Sequence, residues 1–220
     1  MRCYGIVPLP VSVVDNRAAA FEPVGGRAPL AHVVHTLSAT GPVVVAAAGP
    51  LVEEVRACLA GNGLSAAELV VAGAAATRAE CLAAALDDAP DQVLVHDIAH
   101  PLAPSGLAAR VVAAVRGGAD AVVPAVPVTD SVKVVDPNGT ITGALDRERL
   151  RAVQYPRGYT TAVLRALLAD HTAEDGDELA VALRTGVPVT FVEGDPDAFR
   201  VRLPHDGAFA AAVIAGRRVS

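Results

Sequence analysis

Short apolar runs alternate with segments of helical hydrophobic spacing along the first 126 residues of the chain. The apolar runs predict buried strands at residues 3–8, 42–48, 68–72, 92–96 and 119–126. The intervening segments predict helices at residues 28–37, 51–60, 77–86 and 107–115. Strands that alternate with helices predict a mostly parallel sheet with helices on both faces, which is a doubly wound α/β fold.

The pattern changes after residue 127, where two short β-type runs replace this alternation. They occupy residues 131–135 and 140–144 and flank Pro137-Asn138-Gly139, a sequence typical of a hairpin turn. Because an isolated hairpin is marginal in water, we expect it to pack on something else, and a second subunit is the economical choice. Later elements are predicted as helices at residues 160–168, 177–183 and 206–215 and a strand at 187–193. We expect one domain over residues 1–220, with residues 131–155 as a protruding dimerisation arm.

Composition and charge exclude several classes of protein. The net charge is −6 without a basic run, so the chain lacks the electrostatic footprint of a nucleic-acid-binding protein. The three cysteines are an odd number without CxxC spacing, which argues against a disulfide framework or a zinc site. The sequence contains neither a signal-peptide pattern nor an apolar run of membrane-spanning length, and we therefore expect a cytoplasmic protein that does not bind membranes.

The candidate chemistry lies where the fourth predicted strand ends, at His96-Asp97. In an open α/β sheet, ligands bind outside the carboxyl ends of the strands. A carboxylate at that edge can hold Mg²⁺ against the phosphates of a substrate. The same carboxylate can instead cap a turn, and spacing alone leaves both interpretations of Asp97 open.

Four segments then suggest a family, because they match its motifs in the same order. They are Val95-His96-Asp97-Ile98-Ala99-His100-Pro101, residues 123–133 ending in Asp130-Ser131-Val132-Lys133, residues 147–159 with Arg147, Leu150, Gln154 and Pro156, and Gly194-Asp195-Pro196 followed by Arg200. These segments resemble the 2-C-methyl-D-erythritol 4-phosphate cytidylyltransferase family, which acts in the non-mevalonate isoprenoid pathway. The resemblance is collinear over most of the chain.

The resemblance implies a Rossmann-like nucleotide-diphospho-sugar transferase fold with a hairpin arm. It also implies transfer of CMP from CTP to the sugar-alcohol phosphate 2-C-methyl-D-erythritol 4-phosphate, with release of pyrophosphate. Mg²⁺ is the implied cofactor, and Asp97 is its implied ligand. The implied assembly is a homodimer in which the arginine that matches Arg147 comes from the partner's arm.

The resemblance assigns roles to further residues. Those expected to bind the nucleotide are Pro8, Gly73, Arg78, Cys81 and Asp97. Those expected to bind the sugar-alcohol phosphate are Asp130, Ser131, Lys133, Arg147 and Arg200. The cations expected to act in catalysis are Arg17, Arg147 and Arg200. Some of these charges also have a structural interpretation: Arg147 as a solvated charge, Lys133 as an edge-strand charge, and the nearby pair Asp177-Glu178 as carboxylates at a helix N-terminus.

The chain departs from the family pattern in the loop after the first strand and at three single positions. The family has a glycine-rich loop after the first strand, of the form P-A-A-G-x-G-x-R followed by P-K, whereas residues 9–17 contain no glycine and Ala18-Ala19 stand near the expected Pro-Lys. Glycine lets a backbone approach phosphate closely, so this phosphate-binding chemistry is lost. In addition, His100, Tyr155 and Arg157 replace an Arg, a Thr and a Gln. A catalytically impaired homologue that serves as a dimeric binding or partner protein, and a nucleotidyltransferase of changed substrate, therefore remain alternatives.

Overall fold

A computed structural model describes residues 3–172 and 175–217 of the chain. The strands in this part of the chain are β1 (Cys3–Leu9), β2 (Val43–Ala48), β3 (Glu68–Gly73), β4 (Gln92–Val95), β5 (Ala121–Pro127), β6 (Lys133–Val135), β7 (Ile141–Ala144), β8 (Arg151–Val153), β9 (Arg157–Thr160) and β10 (Val189–Glu193). The α-helices are α1 (Ala18–Phe21), α2 (Pro29–Ser38), α3 (Val52–Gly61), α4 (Arg78–Ala84), α5 (Ser105–Arg116), α6 (Thr161–Ala169), α7 (Glu178–Thr185) and α8 (Gly207–Arg217).

Eight of these strands form one sheet in the order β10-β5-β9-β4-β1-β2-β3, with β8 paired to β5. The β10–β5, β4–β1, β1–β2 and β2–β3 pairs are parallel. Strand β9 lies antiparallel between β4 and β5, and β8 is antiparallel to β5. The sheet is therefore mostly parallel, which confirms the predicted α/β fold.

The core consists of small and branched apolar side chains on both faces of this sheet. Every residue of β2 is buried, which is typical of a central parallel strand covered on both faces. Helix α5 buries Leu107, Val111 and Val115, which lie on one face because their spacing follows the helical repeat. Gly158 of β9 lets this helix approach closely, since a Cβ there would lie 2.6 Å from methyl carbons of both valines.

The predicted hairpin forms a separate two-stranded sheet. Strands β6 and β7 pair antiparallel and are not paired with the main sheet. Their apolar side chains face solvent: Val135 is 58% exposed and Ile141 is 66% exposed. The segment that follows returns to the body of the protein, where β8 pairs with β5 and the side chains of Gln154 and Tyr155 are buried.

The hydrophobic pattern of the sequence did not predict two of the strands, β8 and β9. Strand β9 contains an arginine and a glycine, without an apolar run or strict alternation. It forms because neighbours on both sides satisfy its backbone, so tertiary pairing outweighs its local propensity. Among the described residues, the helices are all too short or too polar to cross a membrane.

Gly158→Ala tests the close approach of α5 to β9. The added methyl group must displace Val111 and Val115, so we expect the free energy of unfolding to fall by about 1–3 kcal/mol, measured by urea denaturation. Gly106→Ala is the matched control, because a Cβ there meets open space on the same helix. We expect the control to lose no stability, since alanine favours the helix over glycine; equal losses in both variants would contradict the close-packing argument.

Candidate active site

A crevice opens at the carboxyl edge of the sheet, at the point where the order of the strands reverses. Strands β1 and β4 are parallel neighbours, and the chain continues from β1 towards β2 on one side and from β4 towards β9 on the other. The loops that follow the two strands therefore separate and leave an opening at the carboxyl edge of the sheet. Asp97 lies at this opening, two residues after the end of β4.

Asp97 caps a turn and pairs with an arginine at once. Its Oδ1 accepts a hydrogen bond of 2.8 Å from the Ala99 N–H, which closes the turn after β4. Its Oδ2 accepts a hydrogen bond of 3.1 Å from Nη1 of Arg78. Burial would raise the pKa of the Asp97 carboxyl, but Arg78 and the Ala99 N–H outweigh it and hold this pKa below its usual value. The group is therefore ionised at neutral pH.

Arg78 is directed into the crevice by the start of α4. Thr77 caps this helix: its side chain accepts a hydrogen bond from the Glu80 N–H, and the Glu80 carboxylate accepts one from the Thr77 N–H at 2.7 Å. This reciprocal cap fixes the first turn, so Arg78 leaves the helix at a defined position. Burial would lower the pKa of Arg78, but Glu178, Tyr155 and Asp97 raise it above its ordinary value.

Glu178 holds two arginines together in the wall of the crevice. Its side chain is 0% exposed and belongs to the first turn of α7. Oε2 accepts from Nε of Arg78 at 3.1 Å, and Oε1 accepts from Nη2 of Arg78 at 3.3 Å and from Nη1 of Arg157 at 3.5 Å. A buried carboxylate is tolerated where charged donors surround it, and here both of its oxygens are occupied.

Arg157 reaches the same place from β9 and is itself nearly buried, with 4% of its side chain exposed. Its Nη1 also donates a hydrogen bond of 2.7 Å to Oδ2 of Asp177. The other oxygen of Asp177 accepts from the N–H groups of Leu179 and Ala180 and so caps α7. The acidic pair is thus both a helix N-terminus and part of the crevice.

Tyr155 lies in the middle of this arrangement and contacts cations and histidines. The guanidinium carbon of Arg157 lies 4.2 Å from the centre of its ring, and that of Arg78 lies 5.6 Å away. The ring of His100 lies 5.1 Å from it, centroid to centroid, and that of His96 lies 6.2 Å from it. The Tyr155 hydroxyl accepts a hydrogen bond of 3.3 Å from Arg78. Its ring therefore restricts how both arginines can move.

Both histidines are neutral. Burial, together with the nearby His100, lowers the pKa of His96 to about 3. Burial also lowers the pKa of His100 below its ordinary value. Since a carbonyl can only accept, Nδ1 of His100 donates to the Ala198 carbonyl, 3.0 Å away. His100 consequently supplies no positive charge to the crevice and instead ties two loops together.

The second of these loops brings Arg200 to the crevice. The Gln154 amide donates to the Asp195 carbonyl at 2.7 Å and its oxygen accepts from the Asp195 N–H at 2.9 Å. Beyond Ala198, the Val201 N–H donates to the Ala99 carbonyl at 2.7 Å. The Gly194-Asp195-Pro196 segment lies so close to Gln154 that a Cβ on Gly194 would collide with the glutamine side chain.

The resulting cavity has a volume of about 310 Å³. It is lined by Arg78, Asp97, His100, Val153, Tyr155, Arg157, Gly176, Asp177 and Arg200. A larger cavity of about 520 Å³ lies between α2 and α8, but none of the described residues that line it is a carboxylate. Because divalent cations need oxygen ligands and phosphates need cations, the smaller cavity is the candidate active site.

Residues 9–17 do not form a concave nest of amides in front of Asp97. Residues Val11–Asn16 form a 3₁₀ helix instead. The Val13 N–H is used inside that segment, and the Val11 N–H donates to the Ala76 carbonyl at 2.8 Å. Arg17 follows and forms an ion pair with Glu54 of α3. These two amide donors are therefore bonded to the protein itself.

The structure brings only part of the predicted site together. Arg78, Asp97 and Arg200 line one cavity. Pro8 is buried in β1, and Gly73 ends β3 with a positive φ of 119°. Cys81 is buried in the core, where burial raises the pKa of its thiol to about 11. The nucleotide-binding roles of Pro8, Gly73 and Cys81 and the catalytic role of Arg17 stay predictions.

The remaining predicted residues lie on the arm or at its base. Asp130, Ser131 and Lys133 are exposed. Arg147 is exposed too, and its Nη1 donates to the Thr129 carbonyl at 2.7 Å. It therefore lies next to the loop that carries Asp130 and Ser131, and the substrate-binding role of these residues stays a prediction. None of these four lines the cavity of its own described chain.

Sequence reasoning misses the network around Glu178. The sequence pattern presents Glu178 as a helix-terminal carboxylate, and Arg157 and Tyr155 as losses relative to the family pattern. One signal could have found the network: an arginine in a segment that is otherwise apolar and aromatic needs a carboxylate partner when buried. The sequence cannot show that the partner lies about twenty residues later, at Asp177 and Glu178.

Comparison with known proteins gives a consistent set of relatives. A family model described as 2-C-methyl-D-erythritol 4-phosphate cytidylyltransferase matches residues 13–216. The cytidylyltransferase of that name from Rhodococcus jostii (strain RHA1) is 39% identical over 210 residues, covering 93% of this chain and 90% of that protein. The one from Nocardia farcinica (strain IFM 10152) is 40% identical over 201 residues, covering 89% and 85%. The crystal structure of the one from Thermus thermophilus aligns with a TM-score of 0.78 at 30% identity, covering 98% of this chain and 100% of that chain.

Glu178→Gln tests the network. The amide cannot balance the charges of Arg78 and Arg157, which remain buried, so we expect the free energy of unfolding at pH 7 to fall by about 3–5 kcal/mol. Glu53→Gln is the matched control, because Glu53 pairs with Arg56 on the surface and is 83% exposed; its loss should not exceed about 1 kcal/mol. Urea denaturation measures both, and a loss at Glu178 as small as the control's would refute the role assigned to it.

Proposed function

This chain belongs to the 2-C-methyl-D-erythritol 4-phosphate cytidylyltransferase family, and on that premise we propose that it transfers the cytidylyl group of CTP to 2-C-methyl-D-erythritol 4-phosphate and releases pyrophosphate. The observation that carries the proposal is the convergence of Asp97, Arg78 and Arg200 on one cavity at the carboxyl edge of the sheet. The proposal places the reaction in the non-mevalonate isoprenoid pathway; a cytoplasmic location stays a prediction.

Asp97 fits a magnesium ion that substrate phosphates help to bind. Among the described residues, no three His, Cys, Asp or Glu side chains cluster as a ready-made metal cage. Mg²⁺ commonly needs only one or two carboxylates when phosphates and water complete its shell. Asp97 is ionised, and its Oδ2 is held by a single arginine. When bound, Mg²⁺ would neutralise charge on the phosphate oxygens.

The arginines of the chain supply the remaining positive charge. The acceptor's phosphate oxygen attacks the α-phosphorus of CTP, the bond to the β-phosphate breaks, and pyrophosphate leaves with its electron pair. Negative charge grows on the phosphate oxygens, so cations held in place beforehand stabilise the transition state. Arg78 is held by Glu178 and the capped start of α4, and Arg200 is held at the cavity by its loop.

The arm fits a second copy of the chain. Its exposed apolar side chains, Val134, Val135 and Ile141, have no cover within the described chain. Burial of such side chains in a homodimer would remove them from water and bring the exposed residues at the base of the arm near the partner's crevice. Asp130, Ser131, Lys133 and Arg147 would then contact the sugar-alcohol phosphate there.

Asp97→Asn tests the assignment of the metal ligand. We expect the rate of pyrophosphate release with CTP, Mg²⁺ and 2-C-methyl-D-erythritol 4-phosphate to fall by at least about a hundredfold, because the neutral amide binds Mg²⁺ poorly. Asp91→Asn is the control, since Asp91 is exposed beside the opposite end of β4, and its rate should match wild type. An unchanged rate in Asp97→Asn would remove Asp97 from the metal site.

Val135→Asp with Ile141→Asp tests the dimer. Two carboxylates on the apolar face of the arm cannot be buried without a large desolvation cost, so we expect light scattering to give the mass of a dimer for wild type and of a monomer for the variant. Leu183→Asp is the control, because Leu183 is 67% exposed on α7, away from the arm. A monomeric wild type at micromolar concentration would overturn the proposed assembly.

A further inference from the structure

The two arginines held by Glu178 differ in how much of each guanidinium is used. Arg78 donates from all three nitrogens: Nε and Nη2 to the two oxygens of Glu178, and Nη1 to Asp97. Arg157 donates only from Nη1, to Asp177 and Glu178. Its Nε is buried and has no hydrogen-bond partner among the described residues. Its Nη2 takes part in none of the hydrogen bonds found within the described ranges.

The unused nitrogens of Arg157 form one chemical unit. The N–H bonds of Nε and Nη2 point the same way along one edge of the guanidinium, and their spacing matches two oxygens of a carboxylate or a phosphate. In Arg78 this edge already binds the carboxylate of Glu178. A buried donor without a partner is costly, and a ligand in the crevice that accepts hydrogen bonds would remove this cost at the unpartnered edge of Arg157.

Arg157 is also held ready for such a ligand. Carboxylates fix one end of its guanidinium, and the ring of Tyr155 lies 4.2 Å from its central carbon. His100 packs against the same tyrosine ring. The side chain is therefore preorganised and loses little conformational freedom on binding.

The charges of the cavity favour a phosphate over a carboxylate ligand. Arg200 also lines the cavity and forms no ion pair with any carboxylate of the described residues. Two arginines with uncommitted donors thus face one cavity of about 310 Å³, and an oxyanion with several oxygens can engage both. A carboxylate carries a single negative charge, whereas a phosphate monoester carries up to two and can balance both arginines.

We infer that Arg157 binds a phosphate group of a substrate through its Nε/Nη2 edge, together with Arg200. This inference rests on the proposed function for the identity of the phosphate, which belongs either to the sugar-alcohol monoester or to the triphosphate of CTP. It gives a role to three residues that depart from the family pattern. Arg157 supplies a positive charge to the crevice, the neutral His100 supplies none, and the ring of Tyr155 contacts both side chains.

Calorimetry with separate ligands tests the inference without requiring turnover. CTP with Mg²⁺ and 2-C-methyl-D-erythritol 4-phosphate are titrated separately into wild type, Arg157→Gln and Arg157→Lys. Loss of a charged bidentate contact should raise the Kd of one of the two ligands by about tenfold to hundredfold in Arg157→Gln. Lysine keeps the charge beside Asp177 and Glu178 but lacks the edge, so Arg157→Lys should fold like wild type and still bind that ligand more weakly. The ligand whose Kd rises identifies the source of the phosphate.

Arg184→Gln is the matched control. Arg184 lies on α7 and pairs with Asp175, but it is exposed and does not line the cavity. The inference is overturned if Arg157→Lys binds both ligands with the Kd values of wild type. It is also overturned if the Kd values of both ligands rise equally, since equal rises indicate a structural role. No binding of either ligand to wild type would overturn it as well. A selective rise in Kd without pyrophosphate release by wild type would instead refute the proposed reaction and leave the phosphate site standing.

Discussion

The buried carboxylate of Glu178 is the charge on which the crevice depends. It binds Arg78 from α4 and Arg157 from β9, and so joins elements that are distant in sequence. Desolvation makes a buried ion pair a poor source of stability, but loss of one partner is costly, and this asymmetry fixes the direction of both arginines. Arg78 is thereby aimed at Asp97, and the metal-binding carboxylate proposed here starts with a defined partner.

The three departures around Tyr155 are coupled through direct contacts. Arg157 lies over the tyrosine ring and His100 packs against it as well. Position 100 is neutral because burial lowers the pKa of the histidine, while position 157 carries a charge. Taken separately, these residues suggest lost binding groups; together they place a neutral ring on a loop and a positive charge on a neighbouring strand of the same crevice.

The segment after β1 shows a different outcome. The 3₁₀ helix Val11–Asn16 uses some of its donors internally and against Ala76, and Arg17 pairs with Glu54. The lack of glycine predicts that the phosphate-binding amides of a glycine-rich loop are absent, and the 3₁₀ helix agrees with that expectation. The phosphate recognition proposed here then rests on arginine side chains of the crevice, two of which, Arg157 and Arg200, have donors without a carboxylate partner.

Hydrophobic spacing determined the parallel sheet and its helices, and the Pro137-Asn138-Gly139 turn determined the hairpin, because both signals are local properties of the chain. Motif order alone determined the family and the place of Asp97. Strand β9 depended on tertiary pairing, since its Arg157-Gly158 sequence favours no strand until β4 and β5 satisfy its backbone. The Glu178 network depended on it too: side chains from α4, β9 and α7 meet only after the sheet has formed, and whether a charge is paired, buried or open to a ligand is decided by neighbours that lie far away in sequence.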